Sequence, residues 1–508
     1  MTQVVVVGAG PTGIAVAGLL ARLGVATTVL DRHPEPYPRP RAVHLDGEAV
    51  RVLQRLGVHE GFAAISRPAT GLRLLDASLR PFARFARPTS PGRHGHPEAN
   101  LFDQPELEAV LRAGLPAVSV RGGVEVTGVE QRGERVHVAL HDTGTGRAER
   151  LTAAVVLGCD GAGSTVRAAV GAGLRDLRFT QRWFVVDVVC RSPLPSWGGV
   201  DQVCDPRRPA TFMHLAGDRY RFEFRMRAEE TQADLVDRLP HLTRPWLGDV
   251  PRSRWSVRRS AEYVFRARVA DRWRRGRVLL LGDAAHLMPP FIGQGLGTGL
   301  GDAHNLAWKL AAVLRGDAGE DLLDTYQAER APHAEAVIRA SVRVGRAMTG
   351  GQDLAAALRR PLVAALLRLP GAQARAMAGI ATRYPASPWV DRRRRRRDLP
   401  GTVCPQPLVG VDGRPTPLDD VLGEGFALVR SGPVDERLQH RARTVGARRV
   451  RLTLDATDTG GGPSGTDEVV VVDDGTLHGW LRGGRAGAAL LRPDRVVSGV
   501  SPLGRPRR

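Results

Sequence analysis

Six residues near the N-terminus constrain this chain more than any others: Gly8-Ala9-Gly10-Pro11-Thr12-Gly13. They follow Val4 to Val7, an unbroken β-branched run of the kind a strand shows when a parallel sheet buries both of its faces. Helix-compatible sequence from Ile14 to Leu23 comes next, and Ala26 to Leu30 reads as a second strand ending at Asp31. Together these make a βαβ unit for a dinucleotide. The first glycine permits the tight turn, the second lets the backbone approach a pyrophosphate, and the third lets helix and strand pack closely. The free amides of the helix N-terminus then face the phosphate charge. Asp31, eighteen residues past Gly13, stands where a carboxylate can accept hydrogen bonds from ribose hydroxyls. The motif alone does not separate FAD from a nicotinamide dinucleotide.

Two later segments repeat the order of buried strand, acid-bearing glycine turn and helix. Ala154 to Leu157 runs into Gly158-Cys159-Asp160-Gly161, with Arg167 in the helix that follows. By itself an Asp-Gly turn that caps a helix is commonplace. Val278 to Leu281 runs into Gly282-Asp283-Ala284-Ala285-His286 and then Pro289-Pro290-Phe291-Ile292-Gly293-Gln294-Gly295, with a long helical stretch from about Gly301. Small residues there let the chain pass close over a bound ring, and the amides at the new helix N-terminus point at anything anionic before them.

The composition narrows the classes. Of 508 residues, 42% are hydrophobic and 25% charged, which excludes a mainly disordered or fibrous chain. The formal charge of +20 invites a nucleic-acid reading, but Lys309 is the single lysine, so arginine carries the charge in a manner that fits codon bias, and no nucleic-acid partner is expected. Cys159, Cys190, Cys204 and Cys404 form no CxxC, so they read as reduced and structural, with no metal site. The apolar stretch from Val4 to Leu30 has no cationic segment before it and is interrupted by Pro11 and Arg22; neither a signal peptide nor a membrane span is expected, and the compartment is expected to be the cytoplasm.

With these residues in order, the chain resembles the single-component FAD-dependent aromatic hydroxylases, the group A flavoprotein monooxygenases that include para-hydroxybenzoate hydroxylase. The resemblance rests on Gly8 to Gly13, on Asp160-Gly161 with Arg167, and on Gly282-Asp283 with Pro290. Arg41 to Glu48, Asp205 to Pro209, Arg221-Phe222-Glu223-Phe224, Pro289 to Gly295, Tyr326 to Arg330 and Pro405-Gln406-Pro407 look like the 3-(3-hydroxyphenyl)propionate hydroxylase branch. It implies an α/β fold: a discontinuous Rossmann-like FAD-binding domain (1–65, 100–178, 270–345) and an inserted antiparallel-sheet substrate domain (66–99, 179–269). A helical segment with an arginine-rich linker (346–398) and a thioredoxin-like C-terminal domain (399–508) complete it.

The same resemblance implies roles. Gly8, Gly10, Pro11, Thr12 and Gly13 would hold the FAD pyrophosphate, and Asp31 with Arg32 the adenosine ribose. The family more often has glutamate where Asp31 stands. Arg41 and Gln104 would lie near the diphosphate and ribityl chain, Asp283 would bind the ribityl hydroxyls, and Asp160 would serve FAD and the passing nicotinamide. Pro290, Gly293, Gln294, Gly295 and Leu296 would lie along the isoalloxazine ring, with amides aimed at its N1–C2 carbonyl region. No second βαβ glycine fingerprint occurs, so NAD(P)H would dock transiently. The implied chemistry is reduction of FAD by NAD(P)H, addition of O2 to give a C4a-hydroperoxide, and oxygen transfer to a phenolic ring. His44 is the first candidate for a general base, next to a reading as a packing histidine. His286 reads as a loop brace, and His214 and Tyr220 as pocket-lining residues.

A polycyclic aromatic polyketide or antibiotic is the alternative substrate. A basic nucleic-acid binder on a dead flavin fold would show no NAD(P)H turnover, and a halogenase would call for a lysine near the flavin, whereas Lys309 lies inside the helix after Gly282-Asp283. The expected state is a monomer or homodimer. Apolar spacing predicts long helices over 302–348 and 353–380, broken near Gly350 and Pro361. Arg392 to Arg397 reads as a solvated linker and Gly460 to Pro463 as a loop tip. Short strands are predicted at Phe426 to Val429, Val450 to Leu454, Val469 to Val472 and Ala488 to Leu491, with a helix at Leu418 to Leu422.

Overall fold

The three strand-and-turn segments lie side by side in one sheet. The computed structural model describes residues 3–36, 42–115, 118–349, 382–392, 395, 398–455, 457 and 468–503. Arg41, the helix expected over 353–380, most of the arginine run and the Gly460 loop fall outside these. The chain divides into two compact units, one of Met1–Ser90, Pro97–Ala307 and Ala334–Ile380, the other of Pro91–His96, Trp308–His333 and Ala381–Arg508.

In the first unit a six-stranded sheet runs in the order Arg274–Arg275, Val278–Leu280, Val155–Gly158, Val4–Val7, Thr27–Leu30, Ser119–Arg121. All neighbours pair in parallel except the first two strands. Val4 to Val7 are buried throughout, as expected of strands covered on both faces. Because Val278–Leu280, Val155–Gly158 and Val4–Val7 are adjacent and parallel, their carboxyl ends deliver Gly282-Asp283, Asp160-Gly161 and Gly8 to Gly13 to one edge of the sheet. That edge is where open α/β sheets bind ligands.

A second sheet of eight strands has the order His286–Leu287, Trp255–Ala270, Leu174–Cys190, Arg219–Arg225, Ala210–His214, Val200–Val203, Gly71–Leu75, Pro81–Ala86. It is antiparallel except where Val200–Val203 runs parallel to Gly71–Leu75. Along its Leu174–Cys190 strand, Phe184 to Val188 are all buried, so both faces of the sheet are covered there. One face (Phe184, Val186, Val188, Phe212, Tyr220, Phe222, Phe224) packs with Leu235, Leu239 and Leu247 of the helices Gln232–Asp237 and Leu239–Leu247. The other face carries Trp183, Val185 and Asp187. The helix expected over 302–348 is two helices, Gly295–Arg315 and Asp321–Thr349, because Gly316 at φ +78° ends the first turn sequence.

The second unit holds a seven-stranded sheet, ordered Arg414–Pro417, Leu408–Val411, Glu468–Val472, Arg448–Thr453, Ala427–Arg430, Ala486–Leu491, Val497–Pro502. The four expected strands are its centre, three parallel and one antiparallel, and the expected helix spans Leu418–Leu422. A buried ion cluster lies in this unit. Lys309 Nζ and Arg492 Nη1 each donate to Glu329 at 2.8 Å, Ser387 Oγ donates to Glu329 at 2.9 Å, and Arg492 also grips Asp494. Burial alone would raise the Glu329 carboxyl, but Arg492 and Lys309 outweigh it and hold it well below the ordinary range. The single lysine is therefore an ion-pair partner.

Removing one member of a buried set strands the others without compensation. Glu329→Gln should cost about 3–5 kcal/mol in urea unfolding of the purified chain. The stability from this pairing is present above the ordinary carboxylate value of 4.5 and lost as pH falls below it. An unchanged midpoint at neutral pH would show that the cluster is energetically idle.

Candidate active site

The glycine turn is built by close approach. Gly8 has φ +104°, and a Cβ there would stand 2.3 Å from the Cys159 carbonyl oxygen, while a Cβ on Gly13 would stand 1.9 Å from the Gly8 carbonyl oxygen. Gly10 differs, since nothing lies within 4 Å of the position its Cβ would take. It caps the Pro11–Arg22 helix with no side-chain hydrogen bond, so the first-turn amides open onto free space. Asp31 fixes the turn from the next strand, its carboxylate accepting from the amides of Ala9 at 2.6 Å and His33 at 2.7 Å. Arg32 is exposed beside it, with Nε donating to His33 Nε2 at 3.3 Å.

The Gln104–Ala113 helix supplies the flank. Gln104 is buried; its Oε1 accepts from the Ala42 amide at 2.9 Å and its Nε2 donates to Glu108 at 2.7 Å. Arg112, two turns on, reaches the Ala9 carbonyl at 3.4 Å and brings a cation to the glycine turn. Sequence reading missed Arg112, although its spacing of four and eight residues from Glu108 and Gln104 places all three on one helix face.

The two acid-bearing turns are tied together. Asp160 accepts from Ser164 Oγ at 2.5 Å and from the Val166 amide at 3.1 Å, and Arg167 Nη1 donates to the Ala284 carbonyl at 3.1 Å. Gly282, at φ +58°, sits against Thr12, and its amide donates to Asp302 Oδ2 at 3.1 Å. His286 Nε2 donates to the same oxygen at 2.8 Å, both side chains fully buried, which is the brace expected of His286. Asp283 is left exposed on the turn.

Beyond it, Pro290–Ile292 forms a 3-10 turn ended by Gly293 in the left-handed region at φ +66°. A Cβ on Gly293 would stand 2.7 Å from His44 Nδ1. The Gly293 carbonyl lies 3.1 Å from that nitrogen, and a carbonyl only accepts, so His44 carries its proton on Nδ1 and leaves Nε2 as an acceptor. Burial, then the Arg87 charge, lowers the His44 pKa below 6.5, so the ring is neutral at pH 7. Gln294, Gly295 and Leu296 follow half-buried, where the Gly295–Arg315 helix begins.

The Phe291 ring meets Phe179, Trp183 and Phe265 edge-on at 5.7, 5.8 and 6.5 Å between centroids. This face of the eight-stranded sheet therefore looks onto the Pro290–Gly293 turn. It also carries an ion network that sequence reading missed. Arg221 is bidentate on Asp187 at 2.6 and 2.9 Å, and Arg259 joins Asp187 to Asp103, the residue before Gln104. Burial would raise the Asp187 carboxyl, but Arg221 and Arg259 outweigh it and hold it low.

Two expectations are corrected. Tyr220 is buried in the opposite face, its ring stacked 6.0 Å from Phe212 and its hydroxyl accepting from the Leu194 amide at 3.1 Å. His214 stacks on Tyr220 at 4.5 Å and hydrogen-bonds the Gly217 carbonyl at 2.8 Å. Strand alternation sends both away from Phe291 and sends Arg221 and Met213 toward it. Among the described residues no group of three His, Cys, Asp or Glu could hold a metal ion, and no helix is long and apolar enough to cross a membrane.

Known proteins share this plan. Residues 1–341 match the family described as FAD binding domain, and residues 401–506 match the HcaD C-terminal domain. A 3-(3-hydroxy-phenyl)propionate/3-hydroxycinnamic acid hydroxylase of Mycobacterium avium (strain 104) is 36% identical, over 98% of this chain and 89% of its own. A probable NADH-specific resorcinol 4-hydroxylase of Rhodococcus jostii (strain RHA1) is 33% identical, over 98% and 92%. Among solved structures, an aklavinone-11 hydroxylase with FAD and aklavinone superposes with a TM-score of 0.78 at 25% identity, covering 98% of this chain and 95% of that one. The OxyS anhydrotetracycline hydroxylase from Streptomyces rimosus does so at 0.76 and 27%, with the same coverage. Glycine cradles that a Cβ would fill, open helix amides and an exposed Asp283 fit the cofactor these proteins use, and the chain belongs to the family of FAD-dependent aromatic hydroxylases.

Proposed function

We propose that this enzyme uses NAD(P)H and O2 to hydroxylate a small phenolic acid or resorcinol-like phenol. The observation that carries the reading is the convergence of three glycine turns at one sheet edge, facing an aromatic sheet wall across the Phe291 turn. When bound and reduced, FAD supplies the activated oxygen, and the chain's residues bind, orient and exclude water. The amides of the Pro11–Arg22 helix and Gly8, Gly10 and Gly13 receive the pyrophosphate, with Thr12 against Gly282. Asp31 and Arg32 serve the ribose, Arg41 and Gln104 the middle of the cofactor, and Asp283 the ribityl hydroxyls. Asp160 sits where the nicotinamide would pass. Pro290 and Gly293 to Leu296 back the flavin ring, and His44 holds Gly293 in place while keeping Nε2 free of its own proton. The eight-stranded sheet is the substrate domain of this reading, residues 399–508 its thioredoxin-like domain without a CxxC, and the state a monomer or homodimer.

A larger polycyclic phenol is the second reading, favoured by the superposition on aklavinone and anhydrotetracycline hydroxylases. Purified yellow protein should oxidise NADH or NADPH faster with 3-(3-hydroxyphenyl)propionate or resorcinol present, and product should match cofactor consumed. Peroxide without product from every small phenol, and coupled turnover with a polycyclic one, would select the second reading.

Asp283→Ala should weaken FAD binding by about 10- to 100-fold in a fluorescence titration, since ribityl hydroxyls lose a charged acceptor. Full affinity would remove Asp283 from the cofactor site. Gly293→Ala should fold but displace His44 and raise its pKa toward 6.5, read from the imidazole proton resonances against pH. An unshifted titration would separate His44 from the turn.

A further inference from the structure

The sheet face that looks onto the Phe291 turn carries one acid that stands at the margin of the ion network. Glu223 lies between Phe222 and Phe224, which point into the helix-covered core, so it points to the other side. Its cross-strand neighbours are Val185 and Thr211. Two residues one way, Arg221 belongs to the network that reaches Asp103 beside Gln104. Two residues the other way, Arg225 pairs across the sheet with Trp183, whose ring meets Phe291. Glu223 thus stands midway between the flank that carries Gln104 and the turn that carries Pro290.

Its surroundings set it apart from the acids of the ion network. Asp187 and Asp103 each meet two or more guanidinium groups. Among the described residues Glu223 accepts no hydrogen bond and the one cation within 4.0 Å is Arg221 through Nη1, an arginine already bidentate on Asp187. Its side chain is 12% exposed. A carboxylate placed so has lone pairs available and little water to fill them.

We propose that Glu223 is the proton acceptor for the aromatic hydroxyl of the substrate bound between this sheet face and the Pro290 to Leu296 segment. The assignment rests on the hydroxylase reading given above. The phenolic O–H bond breaks, a Glu223 Oε–H bond forms, and the electron pair stays on the substrate oxygen, where it enriches the ring for attack on electrophilic oxygen. The proton returns to that oxygen as the product regains aromaticity and loses the proton of the hydroxylated carbon to solvent. No oxidant beyond O2 is involved.

Burial, with a contribution from Asp187 and against the pull of Arg221, raises the Glu223 carboxyl to about 7, where a general base is most effective near neutral pH. The charged or titratable groups around it are Asp187, Arg221, Arg225, Arg259 and Tyr263 on the sheet and His44 beside the turn; residues 289–293 of the turn contribute none. The acceptor must be ionised, so turnover rises with pH through about 7.

The test uses FAD-loaded full-length enzyme, with 3-(3-hydroxyphenyl)propionate and resorcinol as probes and product formation followed from pH 5.5 to 9 (roughly the span over which such a base titrates). In Glu223→Gln, kcat should fall by about 100-fold or more while KM changes little, and the ionisation near 7 should vanish. Glu223→Asp should restore part of the rate and the ionisation, which a merely structural residue would not do. Difference spectra of the bound phenol should show phenolate in the wild type and neutral phenol in Glu223→Gln. A wild-type pH profile retained in Glu223→Gln, or lost only in His44→Asn, overturns the assignment while hydroxylation stands. A wild type that hydroxylates neither small nor polycyclic phenols overturns the hydroxylase reading, and this assignment with it.

Discussion

Asp302 holds the glycine-turn edge of the first unit together through a single buried oxygen. Its Oδ2 receives the Gly282 amide and the His286 ring, so the Gly282-Asp283 turn is pinned to the Gly295–Arg315 helix from inside. A carboxylate with no exposed surface is costly to bury, and two donors on one atom repay part of that desolvation. Once the turn is pinned, Gly282 lies against Thr12 of the glycine turn, and Arg167 links it to the Asp160 turn. The position of the three glycine turns therefore follows from one clamp and the parallel register of three strands.

The opposite wall depends on a different device. Arg259 spans Asp187 on the eight-stranded sheet and Asp103 at the start of the Gln104–Ala113 helix, fixing that sheet to the element that carries Gln104. Phe291 does the same at the other end by packing among Phe179, Trp183 and Phe265, with Gly345 leaving room for its ring. One end is electrostatic and directional, the other apolar and shape-fitted. Between them the sheet face is held at a set distance from the Pro290–Gly293 turn.

What could be read from sequence was local. Val4 to Val7, the glycine spacing and Asp31 announce themselves because strand burial, turn geometry and helix ends each restrict residue type over a few positions. The strands of the second unit were equally legible, since short apolar runs between turn residues have few alternatives. The orientation of Tyr220 and His214 was not legible. In Arg219–Arg225 the apolar residues Tyr220, Phe222 and Phe224 share one parity and charged residues fill the other, and only the helices packed on the apolar parity and the Phe291 contacts reveal which parity faces the turn. Nor could spacing expose the Arg259 bridge, whose partners lie 72 and 156 residues away. The break at Gly316 was hidden because apolar spacing resumes in phase after it.

The burial of Lys309 has a practical corollary. Among the described residues of the folded chain it offers no lysine amine to solvent, its Nζ being held by Glu329 beneath Trp308 and Arg492. Acylating reagents that seek lysine therefore meet an inert surface until the second unit opens. A chain that has acquired a single acyl group at position 309 has unfolded there at least once, so the residue is a built-in recorder of opening events.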